Sequence, residues 1–85
     1  MNPRVAHVTP LPSRHLHLLF SNGERGIFDC QPYLDFGVFQ ELRDWDAFVQ
    51  VRVENGTVVW PGGQDICPDT VYIESVRGEQ EVPVT

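Results

Sequence analysis

Two Asn-Gly pairs, Asn22-Gly23 and Asn55-Gly56, constrain the fold of this chain more than any other feature. Each interrupts a run of alternating apolar residues, and Asn-Gly tolerates the positive φ that both central residues of a type I′ turn require. The first separates Leu16-His17-Leu18-Leu19-Phe20 from Gly26-Ile27-Phe28-Asp29-Cys30. The second separates Val49-Gln50-Val51-Arg52-Val53 from Thr57-Val58-Val59-Trp60. A two-residue turn fixes strand register, and register decides which side chains share a face. In the second hairpin Glu54 then faces Thr57, and Val53 faces Val58. Val51, Val53, Val58 and Trp60 form an apolar face, while Arg52, Glu54, Thr57 and Val59 form the other. In the first hairpin the same turn sets Leu18 opposite Ile27, Leu16 opposite Asp29 and His15 opposite Cys30. Leu16, Leu18, Phe20, Arg25, Ile27 and Asp29 then share one face. His15, His17, Leu19, Gly26, Phe28 and Cys30 share the other, so both faces are apolar enough to expect cover on both sides.

The rest of the chain adds a strand and short helices. Residues 4–9 read as an N-terminal strand, and Pro10-Leu11-Pro12-Ser13 as a stiff loop, because proline fixes φ and removes a ladder donor. Pro32 opens a single helical turn. Apolar residues at helical spacing predict two more short segments, near 38–43 and 45–49, with Asp44 capping the second. Phe39, Leu42, Trp45 and Phe48 are expected to pack them on the sheet; Trp45 and Trp60 read as core residues before interface anchors. Residues 68–74 fit a helix opened by Pro68, although Thr70, Val71 and Ile73 leave a strand as the alternative. The class predicted is α+β: a small single domain over 1–78, two hairpins and an N-terminal strand in an antiparallel-rich sheet packed by short helices. Residues 79–85 read as a loose acidic tail.

Composition narrows the function. The 85 residues hold 12 acids and 6 bases, a formal net charge of -6. All the bases are arginine, so lysine chemistry is excluded, Schiff bases included. The acidic balance argues against nucleic acid and against anionic membrane surfaces as partners. No stretch approaches a membrane span, the N-terminus lacks a secretory signal, and two cysteines are no disulfide framework. A cytoplasmic location follows as the expectation, and so small a core leaves room for a homodimer.

Val8-Thr9-Pro10-Leu11, the Leu16–Glu24 stretch, Phe28-Asp29 and Trp60-Pro61-Gly62-Gly63-Gln64-Asp65-Ile66-Cys67-Pro68-Asp69-Thr70-Val71-Tyr72 resemble one family. This is the family of domain of unknown function 2442, small and mainly bacterial proteins. The likeness runs over residues 4–75, and its most specific part is Trp-Pro-x-Gly-x-Asp-x-x-Pro-[Asp/Glu]. The resemblance implies a compact α+β domain with a short helix at 68–74, and no reaction. Some relatives carry a helix-turn-helix DNA-binding module after the domain, a pattern not read in these 85 residues. Relatives also tend to be encoded beside another small protein, which implies a paired system.

Among chemical constellations, His15, His17 and Cys30 stand out. The histidines share a face, and the register expected for the first hairpin sets Cys30 beside His15. Two imidazoles and a thiolate can hold zinc, or serve a small metal- or thiol-dependent enzyme. His7 joins them with a five-residue loop after the first strand, and faces Leu16 instead with a four-residue loop. No Cys-x-x-Cys or His-x-x-x-His spacing supports a metal site, and two half-exposed histidines with an inert thiol are the plainer reading. Asp29 is expected to point away from His15 and Cys30, and no cofactor is expected. Asp44 reads as a cap, and Asp65 and Asp69 as loop and helix-start carboxylates. The leading expectation is a non-enzymatic protein-interaction module, antitoxin-like in its pairing with a small basic protein. Leu19, Phe28, Val59 and Tyr72 would supply its apolar contacts, and Asp65 and Asp69 its charge.

Overall fold

Alternation of apolar and polar residues sorts the strands into two antiparallel sheets in the computed structural model, which describes residues 2–77. β1 (Val5–Leu11), β2 (His15–Phe20), β3 (Arg25–Asp29) and β6 (Val76–Arg77) form a four-stranded sheet in the order β1-β2-β3-β6. β4 (Arg52–Glu54) and β5 (Thr57–Val59) form a two-stranded sheet, stitched to the first where the Val5 amide donates to Gly56 O at 2.9 Å. Single 3-10 segments cover Gln31–Tyr33 and Gly37–Arg43; α1 spans Trp45–Phe48 and α2 spans Pro68–Glu74. The fold is α+β, as predicted, with α2 a helix rather than a strand. The tail expected at 79–85 lies outside the described residues.

The two Asn-Gly turns differ, and the difference moves a whole face. At Asn55-Gly56 both residues take positive φ, 55° and 77°, so the loop has two residues, with Glu54 opposite Thr57 and Val53 opposite Val58. At Asn22-Gly23 only Gly23 is left-handed, with φ 91°. The Phe20 amide donates to Glu24 O at 2.8 Å and the Gly23 amide to Phe20 O at 2.9 Å, which makes a three-residue loop, Ser21-Asn22-Gly23. Asn22 Oδ1 accepts instead from the Glu24 amide at 3.0 Å. The register therefore slips by one from that expected: His15 faces Asp29, Leu16 faces Phe28, His17 faces Ile27 and Leu18 faces Gly26.

That slip separates the faces cleanly. Leu16, Leu18, Phe20 and Phe28 are buried on one side, joined by Val5. His15, His17, Leu19, Arg25, Ile27 and Asp29 lie on the other, where none is buried. β1 runs on through Pro10 and Leu11, beyond the expected strand, because it lies at the end of the sheet where a missing N–H breaks no ladder. A turn at Pro12–Arg14 then sets His7 opposite Leu19, a register neither loop length anticipated.

The helical segments and the second sheet cover the apolar side only, and the molecule measures 30 × 30 × 18 Å. The core gathers Leu16, Leu18, Phe20, Phe28, Leu42, Phe48, Val58, Trp60 and Val71. Thr57, expected on the face opposite the apolar one, is buried because the Asp65-Ile66 stretch crosses it and Ile66 O accepts its hydroxyl. Trp45 departs from expectation as well. It is 39% exposed, stacked on Phe48 at 5.7 Å, with the Arg14 guanidinium 5.1 Å from its ring centroid.

Candidate functional site

β5 ends in Trp60, and the chain turns at once through Pro61-Gly62-Gly63. The Gly63 amide donates to Trp60 O at 3.0 Å and the Trp60 amide to Gln64 O at 2.9 Å. This tight loop swings Gln64 inward until it is 1% exposed. Trp60 is held from behind: its Nε1 donates to Phe48 O at 2.9 Å, and its ring lies 6.0 Å from Phe48 and 6.4 Å, edge-on, from Phe39. Between this loop and the Gly37–Arg43 and α1 segments runs a cleft of about 340 Å³, lined by Glu41, Leu42, Ala47, Gln50, Trp60, Pro61, Gly62 and Gln64.

The hydrogen bonding of Gln64 is lopsided. Its Nε2 donates to Val38 O at 2.9 Å and to Glu41 Oε1 at 2.8 Å, which uses both amide protons. Its Oε1 is buried and has no partner among the described residues. An unmet buried acceptor costs about 1–3 kcal/mol, so such groups are uncommon without a purpose. A Cβ at Gly62 would overlap Glu41 Oε1 and come within 2.8 Å of Gln64 Oε1, so a side chain there would push both groups aside. The cleft is thus lined by the exposed Glu41 carboxylate, with the buried Gln64 amide and Trp60 ring behind it.

The residues singled out from the sequence are scattered around this site. His15 and His17 stand half-exposed on the open face of the larger sheet. His15 Nδ1 lies 2.9 Å from Ser13 O, and its Nε2 lies 3.7 Å from Asp29, the residue expected to point away. Cys30, expected beside His15, is 2% exposed in the core. Burial, with Asp29 nearby, pushes its thiol up to about 12. Among the described residues no three His, Cys, Asp or Glu side chains form a group able to hold a metal ion.

Of the expected contact residues, Phe28 is corrected most plainly: at 1% exposure it is a core residue, placed there by the register slip. Leu19 and Val59 are half-buried, and Asp65 and Asp69 are exposed. Asp69 sits in the first turn of α2 and accepts from Asn2 Nδ2 at 3.3 Å. Tyr72 is tied down: its hydroxyl donates to Glu24 at 2.5 Å and its ring meets Phe20 edge-on at 5.0 Å. That bond raises the Tyr72 pKa and lowers that of Glu24. Asp44 caps α1 as expected, accepting from the Asp46 amide at 3.1 Å. Glu41, Gly62 and Gln64 escaped the sequence reading as a group, although Gly62 and Gln64 lie in the stretch that carries the family likeness.

No helix of the described residues is long and apolar enough to cross a membrane. Neither the curated proteins nor the solved structures offer a match to this chain. A family model does match, over residues 5–77, which takes in every strand, the cleft and α2. The chain belongs to the family described as "Protein of unknown function (DUF2442)".

Proposed function

We propose that this protein is a non-enzymatic, cytoplasmic interaction module that binds a small basic protein, in the manner of an antitoxin with its companion. One observation carries the reading. Among the described residues six large apolar side chains stand exposed, and four of them, Phe36, Val38, Trp45 and Val49, fall within residues 36–49. The same stretch holds Glu41, Asp44 and Asp46, none of them in an ion pair among the described residues. Exposed apolar anchors and carboxylates along one stretch suit a partner that offers both apolar and basic residues. The net charge of -6 would speed the encounter. Asp65, next to Gln64 on the cleft loop, and Asp69, in the first turn of α2, are further exposed carboxylates.

The test is a crosslinking pull-down from the native cell, comparing the natural chain with a Phe36→Ser, Val38→Ser double variant. Both side chains are more than half exposed, at 67% and 61%, so the variant keeps its core. One stoichiometric basic protein is expected, its retention falling about tenfold or more in the variant. Equal retention by both chains, or recovery of self-associated copies only, overturns the reading.

A further inference from the structure

We infer that the cleft between Glu41 and Gln64 is a receptor for a guanidinium group, the side chain of an arginine on the partner. The inference rests on the interaction reading above and names the chemistry of one contact within it. Gln64 Oε1 is a buried acceptor with no donor among the described residues, and Gln64 lines the cleft. Beside it the Glu41 carboxylate accepts one proton from Gln64 Nε2 and has further acceptor capacity. Two acceptors, one of them charged, call for a group that brings several donors and a positive charge. Guanidinium carries five N–H donors in a rigid plane and can serve a carboxylate and an amide oxygen together. An ammonium is a compact, strongly hydrated point charge and serves two separate acceptors less well. Gly62 lets the two acceptors gather, since with no side chain there the Glu41 and Gln64 oxygens pack directly against the loop backbone.

The probe is N-acetyl-arginine amide, titrated into the full chain and followed by NMR at the Gln64 side-chain amide and the Gly62 backbone amide. A dissociation constant on the order of 1 mM is expected for a ligand of this size. N-acetyl-citrulline amide, uncharged and nearly the same shape, is expected to bind about tenfold more weakly or worse. Glu41→Gln keeps an acceptor oxygen for Gln64 Nε2 while it removes the charge and turns the second oxygen into a donor, and Glu41 is exposed, so the fold is retained. Arginine affinity is expected to fall about tenfold in that variant. Equal binding of citrulline, no effect of Glu41→Gln, shifts confined to other residues or no saturable shift at all would each overturn the inference. A partner captured through Phe36 and Val38 together with a silent arginine titration refutes this inference and leaves the interaction reading standing. Arginine bound at the cleft with no partner captured supports the receptor chemistry and removes the antitoxin-like reading.

Discussion

A thiol reacts as its thiolate, so burial decides which cysteine of a pair is available. Cys67 is exposed at the start of α2, whereas Cys30 lies in the core with its pKa pushed up to about 12. An aromatic disulfide reagent at neutral pH is therefore expected to modify one thiol per chain at once. The second should follow only as the protein unfolds, at a rate at least ~100-fold lower in a chain that opens rarely. Rapid modification of both would place Cys30 at the surface and reopen a role for it in chemistry. The same residue shows what a single step along a strand does. Expected beside His15, it belongs instead to the layer beneath, and Asp29 takes the place opposite the imidazole.

Turns are where element-scale energetics are easiest to separate. Gly23 and Gly56 both hold positive φ, at 91° and 77°, which an L side chain adopts at a cost of roughly 1–2 kcal/mol. A Cβ at Gly23 would meet nothing within 4 Å, while one at Gly56 would come within 2.8 Å of Arg4 Cδ and 2.9 Å of Arg4 Cβ. Gly56→Ala is thus expected to lower the urea midpoint more than Gly23→Ala; the reverse order would show that Arg4 yields without cost. The second hairpin was legible because its Asn-Gly pair supplies both left-handed residues and leaves one register open. The first was misplaced by one residue because Asn22 spends its side chain on the Glu24 amide and leaves Gly23 alone to turn the chain. A clue lay in the pattern: only the three-residue loop puts Leu16, Leu18, Phe20 and Phe28 together with no charge among them. Nothing comparable announces the cleft. Gln64 meets Glu41 and Val38 across separations of 23 and 26 residues, which no local spacing encodes.

For the molecule as a whole, alkaline pH is the more informative stress. Cys30 rises from an ordinary 9.0, and Tyr33, packed against Phe28 with its hydroxyl on Glu74, from an ordinary 10.0, each to about 12. The folded chain therefore keeps protons that the unfolded chain has released. The stability this contributes is complete below about pH 9 and is lost as pH rises towards 12. Urea midpoints measured from pH 8 to pH 11 are expected to fall, and Tyr33→Phe should flatten the upper part of the slope. A level profile would mean that these groups titrate alike in both states. A different consequence follows from the strand order. β1, β2 and β3 are consecutive and can pair as soon as they leave the ribosome, but the partner of β3 on its far side is β6, nearly fifty residues later in synthesis. Until Val76 and Arg77 arrive, the Gly26-Ile27 backbone is an open template on a nascent chain. The window for mispairing with a neighbouring copy stays open until then, and two residues close it.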